Sequence, residues 1–330
     1  MAAVSLLVVS DIDIGSTVQG AALLARGGWV EHTPVDEGRV WRHQSNRVDM
    51  WWRKQPHLYS DHLDKRYEMQ TSRDLSEVLF LSRHVAASGR PSLTLHAIGI
   101  PGASPHGEAA EHGGIKGVAV PPSPRFASIF RRLDRIANAS GIIDEFEVTL
   151  ETTHHGPLLD TPTLFIEIGS TEEHWGRLDA AEVWADVLAE EFGLQEELDV
   201  LEAREIAFLG LGGGHYAPRH QAILRATSAH CGHLLASYSL PFIQPEEPDW
   251  DSLTGALPEG AWKDAIDVCL EQTMKVFPES KIVAHLDRKS FKGWQRQSIR
   301  RHLEVKGIPL FRQADFLAFD ESKRESSYPS

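Results

Sequence analysis

Seven short apolar runs, each closed by turn residues, constrain this 330-residue chain more than any other feature. They cover residues 5–10, 78–81, 92–97, 146–151, 164–168, 206–209 and 281–286. Apolar runs this short and this continuous predict buried strands. Between many of them lie segments with helical spacing, at residues 124–139, 180–192, 262–276 and 292–303. In the second of these, Val183, Trp184, Val187, Leu188 and Phe192 fall on one stripe, and Asp179 is placed to cap it. Strands alternating with helices predict an α/β fold, a mixed, mostly parallel sheet flanked by helices. With no repeat and no long linker, residues 1–330 read as one domain, its core ending near residue 315 and a polar tail covering 316–330. Residues 99–124, dense in Gly and Pro, and the acidic, Pro-rich 240–260 read as loops, where sites are commonly built.

Two cysteines, Cys231 and Cys269, exclude a disulfide framework and a four-cysteine zinc site. The apolar run near the N-terminus is too short for a secretion signal, and nothing approaches the roughly 18 apolar residues that span a bilayer. The expectation is a soluble protein of the cytoplasm or nucleus, without membrane contact. A net charge of −14 argues against indiscriminate binding of polyanions, but the charge is unevenly spread. Residues 172–205 hold 12 acidic and two basic side chains, whereas residues 281–306 hold eight basic and two acidic. In the basic stretch Lys292, Arg296 and Arg300 recur every four residues, one stripe on a helix. A smaller cluster is Arg125, Arg131, Arg132 and Arg135. Either could meet nucleic acid, or simply face solvent.

Histidines and glycines gather where predicted strands end. Ser82-Arg83-His84 places a hydroxyl, a guanidinium and an imidazole on one turn, fit for an ester, a phosphate and a proton, or merely for capping. His96 ends a buried strand just before the Gly-Pro loop. The alternation in 146–151 points Phe146, Val148 and Leu150 one way and Glu147, Thr149 and Glu151 the other. His154 and His155 follow, and adjacent residues of an extended chain serve the same atom only if the turn re-aims one of them. Glu167 lies within an apolar run and needs a partner, because an unpaired buried carboxylate is costly. Gly212, Gly213 and Gly214 directly follow a strand, and their amides could form an anion nest or oxyanion hole next to His215 and Arg219. His230 and His233 flank Cys231-Gly232, a spacing that by itself does not establish a metal site.

At these motifs the chain resembles the D-aminoacyl-tRNA deacylases of archaea and plants. The resemblance rests on FLSRH at 80–84, LTLHAIG at 93–99, FEVTLETTHHGP at 146–157, FIEIGSTEE at 165–173, GGGHYAPR at 212–219, GHLL at 232–235 and AHLDRKSFKG at 284–293. No comparable motif falls within 11–70 or the C-terminal tail. Ile98-Gly99-Ile100 departs from the archaeal pattern and is nearer the plant one. The resemblance implies an architecture similar to peptidyl-tRNA hydrolases and nucleoside phosphorylases. It implies hydrolysis of the ester of a D-amino acid on tRNA, zinc as cofactor and, in plants, removal of aldehyde-modified D-aminoacyl-tRNA. On that basis a water activated by His154 or His155 attacks the ester, with His96 and Glu167 as further catalytic candidates. The expected metal ligands are His154, His155, His215 and His233. Ser82, Arg83, His84, the three glycines, Arg219, Lys289 and Lys292 are the candidates for holding the substrate, the cations for its phosphates. The competing readings are another hydrolase on a similar scaffold and a tRNA-binding protein without activity.

Overall fold

The computed structural model describes residues 3–103, 113–195, 205–244, 246 and 257–326. Parts of the two expected loops, residues 196–204 of the acidic stretch and the end of the tail lie outside the described residues. The first half of the chain supplies β1 (Val4–Ser10), α1 (Ile14–Ala25), β2 (Trp29–Val35), β3 (Gly38–His43), β4 (Val48–Arg53), α2 (Leu63–Thr71), β5 (Leu75–Arg83), β6 (Ser92–His96) and a small pair, β7 (Gly99–Ile100) with β8 (Val118–Ala119). It continues through α3 (Phe126–Ser140), β9 (Glu147–Leu150), β10 (Thr163–Gly169), α4 (Glu172–Trp175) and α5 (Leu178–Phe192). Eight of these strands form one sheet in the order β2-β3-β4-β1-β5-β10-β6-β9. Its centre is parallel, and the hairpins β2-β3-β4 and the pair β10-β6 run antiparallel. The second half supplies β11 (Ile206–Leu211), α6 (Pro218–Ala226), β12 (His230–Leu235), α7 (Trp262–Val276), β13 (Lys281–Leu286), α8 (Gly293–Val305), β14 (Leu310–Phe311) and α9 (Gln313–Ser326). Its sheet, β12-β11-β13-β14, is parallel throughout.

The apolar runs are continuous because both sheet faces are covered. On β1, Leu7 and Val9 join the cluster of α3 and α5, while Leu6 and Val8 face Trp51, Tyr67, Phe80 and Phe165 on the other side. α3 buries Phe126, Ile129, Phe130, Leu133 and Ile136, and Gly141 ends it in the left-handed conformation that suits a glycine. All seven expected strands and all four expected helices form, within three residues at every end. Asp179 is not the cap of α5: Arg177 holds that position, and the Asp179 carboxylate accepts from the Ala180 amide one turn in. Phe316, at the start of the expected tail, is buried in α9 against Phe208 and Phe311.

The two sheets meet along one seam. The chain leaving β9 donates from Thr152 to the His215 carbonyl and from Thr153 to the Leu234 carbonyl, while Ala217 donates to the Leu150 carbonyl. Residues 151–155 are therefore clamped between the sheets, at the carboxyl ends of β1 and β5, where ligands of open α/β sheets bind.

Candidate active site

A cavity of about 450 Å³ opens at this seam. Ser82, Arg83 and His84 at the end of β5 reach it, as do Glu167 from β10, His154 and His155 from the clamped segment, and His215 from the loop after β11. Asp13 and His57, at the ends of β1 and β4, complete the wall. The expected site residues from four distant motifs thus share one cavity.

Its organising group is Glu151, which the strand alternation placed on the face shared with Glu147 and Thr149. The carboxylate is fully buried and accepts from the Thr94 hydroxyl. His84 Nδ1 lies 3.0 Å from it, His215 Nε2 2.9 Å and His154 Nε2 3.6 Å. His84 Nδ1 also lies 3.2 Å from Glu167, and its Nε2 is 2.9 Å from the Tyr216 hydroxyl. Burial works against the His84 imidazolium, but the two carboxylates outweigh it and raise its pKa to about 9. Burial likewise opposes the Glu151 carboxylate, and the cationic His84 with the other imidazoles hold it well below the usual carboxylate range. Burial, then the charges of Glu151 and its neighbours, pushes the Tyr216 phenol up to about 12, so it stays protonated. Asp13 is pushed upward by burial while its carboxylate accepts the amides of Ser16 and Arg83, fixing the turn that carries Arg83.

A second group is purely imidazole. His155 adopts φ 44°, and this left-handed turn re-aims it so that its ring meets that of His154 at 4.5 Å. His96 stacks on His154 at 4.1 Å. Each of the three turns Nδ1 onto a backbone carbonyl: Ala97 for His96, Thr152 for His154 and Gly156 for His155. A carbonyl only accepts, so in the neutral rings Nδ1 carries the proton and Nε2 the lone pair. Burial, with the neighbouring imidazoles, pushes His154 well below its ordinary value and keeps it neutral. Nitrogens of His96, His154 and His155 lie within 4.8 Å of one another, and His96 Nε2 is buried without a hydrogen-bond partner. Three imidazoles oriented by backbone carbonyls, one with an orphaned nitrogen, fit a metal ion.

Other expected residues lie elsewhere. His233 is buried on β12 with Nδ1 2.9 Å from the Thr153 hydroxyl, outside every cluster of metal donors among the described residues. Burial pushes it down to about 3. The Gly212 amide donates to the Leu235 carbonyl and the Gly213 amide to the Ser290 hydroxyl. Those two are spent within the fold, which removes them from an oxyanion hole. The Ser82 hydroxyl donates to a backbone carbonyl rather than to an imidazole, and both cysteines are buried with their thiols pushed upward by desolvation. Arg83 lies over the Trp175 ring at the cavity mouth. Arg219, at the start of α6, pairs with Asp287 at 3.1 Å. Lys289 is exposed, and Lys292 caps α8 with its ammonium on Gln244.

Residues 71–311 match the family model of D-aminoacyl-tRNA deacylases. The chain is 40% identical over 318 residues to the D-aminoacyl-tRNA deacylase of Arabidopsis thaliana, covering 95% of this chain and 99% of that one. It is 30% identical to the D-aminoacyl-tRNA deacylase of Methanosarcina barkeri, covering 79% and 73%. A crystal structure of a conserved protein of unknown function superposes with a TM-score of 0.75 at 26% identity, covering 96% of this chain and 98% of that one.

Proposed function

This chain belongs to the D-aminoacyl-tRNA deacylase family, and on that premise we propose that it hydrolyses the ester between a D-amino acid and the terminal ribose of tRNA, using the Glu151–His215 pair to activate water. The contact between the buried Glu151 carboxylate and the cavity-lining His215 carries this reading. Glu151 holds the Nε2 proton of His215, which leaves Nδ1 as the basic nitrogen, beside the Tyr238 hydroxyl at 3.4 Å. Water gives its proton to that nitrogen as its oxygen bonds to the ester carbon. The carbon–oxygen bond to ribose then breaks, and the proton passes to the ribose oxygen. The role expected for His154 or His155 passes to His215 because the other two belong to the imidazole cluster. His84, as an imidazolium, offsets part of the charge of the two carboxylates and fixes Glu167 and Tyr216 around the reacting centre.

His96, His154 and His155 are the residues that would hold zinc, and a bound zinc ion there supplies Lewis acidity to the ester. The two serines that line the cavity among the described residues, Ser10 and Ser82, both donate their hydroxyls to backbone carbonyls, which favours direct attack by water over an acyl-enzyme. The test is hydrolysis of matched D- and L-aminoacyl-tRNA before and after chelation. Release from the D substrate alone supports the reading, and loss of rate on chelation with recovery on zinc supports the metal. Hydrolysis of neither substrate overturns it.

A further inference from the structure

A second and larger cavity, about 1000 Å³, lies against the parallel sheet of the second half. It begins at the carboxyl end of β13 and the start of α6, and runs along α8 to Glu304 and the strand β14. Arg219, Arg288, Arg296, Arg300 and Arg312 line it. Among the described residues Glu304 is the one acid that lines it, while Asp287 stands beside Arg219. Among the described residues, no carboxylate pairs within 4.0 Å with the guanidiniums of Arg288, Arg296, Arg300 and Arg312; the Asp315 carboxylate near Arg312 accepts from its backbone amide. The chain's other basic cluster is different: Arg125, Arg132 and Arg135 are neutralised by Glu77, Glu190 and Glu191. In a chain of net charge −14, four cations left without acid partners in one concave surface mark the place of an external polyanion. The amino-terminal ends of α6 and α8 open on the same groove and add their positive dipole ends.

The groove lies close to the reaction cavity along the chain. His215 lines one and Arg219 the other, four residues apart, so their backbones are at most about 14 Å apart. That is a few nucleotides of an RNA strand. We propose that the arginine groove receives the phosphodiester backbone of the tRNA acceptor end while the terminal ribose ester enters the histidine cavity. This deepens the deacylase reading and rests on it. Arg300 and Arg312 are the groove's exposed phosphate contacts, whereas Arg296 also donates to the carbonyls of Arg288 and Phe291 and holds the turn before α8. Lys289 and Lys292, expected from sequence to touch phosphate, do not line the groove.

The test uses the full chain, its Arg300→Ala and Arg312→Ala variants, and uncharged tRNA followed by fluorescence anisotropy across a salt series. Each substitution should weaken binding severalfold and flatten the slope of log affinity against log salt by about 0.7–0.9, the loss of one phosphate contact. In steady state, each should raise KM for D-aminoacyl-tRNA and leave kcat unchanged. Hydrolysis of a D-aminoacyl ester of adenosine, which has no strand to lay in the groove, should be unaffected. Unchanged tRNA affinity would overturn the proposal, as would equal losses on tRNA and adenosine esters. Displacement of tRNA by polyglutamate as readily as by RNA of equal charge would also overturn it, in favour of an acidic protein partner. If the parent protein binds tRNA through these arginines but cleaves neither ester, the deacylase reading fails while the groove stands.

Discussion

The Glu151 carboxylate stands 2.9 Å from Nε2 of His215, across the seam between the two sheets. The pair exists only when both sheets are docked, so the reacting group is assembled by the fold rather than carried on one motif. Glu151→Gln keeps the shape and the Thr94 contact but removes the charge that orients and supports the imidazole. Its kcat should fall about 100- to 10 000-fold, with KM little changed. His215→Ala should lose a similar factor, and the double variant little more, because the two act as one unit. A rate for Glu151→Gln within threefold of the parent would remove the pair from the mechanism.

His84 makes stability pH-dependent in a definite direction. Its folded pKa, about 9, lies above the unfolded value of about 6.5, so folding favours the protonated ring. The stabilisation is fully present below pH 6.5 and is lost as pH rises through 9. Thermal midpoints should therefore decline from pH 7 to pH 10. In His84→Gln that decline should flatten, on a baseline lowered by about 3–5 kcal/mol because two buried carboxylates lose their cation. A parent profile that is flat over this range would contradict the assignment.

Metal content separates the imidazole clusters. Zinc measured by plasma mass spectrometry should fall in His96→Ala and His154→Ala to near background. It should persist in His233→Ala, whose imidazole meets Thr153 rather than the cluster. That last variant should cost about 1–3 kcal/mol of stability, because the Thr153 hydroxyl keeps the Leu234 amide but loses its buried imidazole partner. Retention of metal by His96→Ala, or a parent protein that binds none and is indifferent to chelators, would end the zinc reading.

The strands and helices were legible because burial on both sheet faces writes itself as continuous apolar runs. The hairpins β2-β3-β4 were not: β4 carries Asp49 and Arg53, yet is buried throughout. Asp49 meets Tyr67 and Arg73, and Arg53 the Ser60 hydroxyl, partners outside the strand. A local signal existed at Asp36-Glu37-Gly38, where two left-handed residues make the tight turn. In the site, the histidines stood out by type and Glu167 by its apolar surroundings, but Glu151 read as a polar-face residue. Alternation assigns a face, not a solvent. Glu147 on that face is exposed, whereas Glu151 is covered by the loop after β11, whose approach no local pattern announces. A carboxylate three residues before paired histidines was the available clue.

The two basic clusters make one last distinction testable. Arg125 bridges Glu77 at 2.7 Å and Glu191 at 2.9 Å, and both carboxylates are almost fully buried. Ser123 and Arg132 complete the network. Removing the guanidinium strands two buried charges, so Arg125→Met should lose about 3–5 kcal/mol in urea denaturation. Because this arginine is already neutralised, its loss should leave tRNA affinity unchanged at temperatures where the variant is folded. Arg300→Ala should do the opposite, with an unchanged urea midpoint and weaker tRNA binding, since an exposed arginine without an acid partner contributes little to the fold. Reversal of this pattern would move the RNA surface from the groove along α8 to the face of α3.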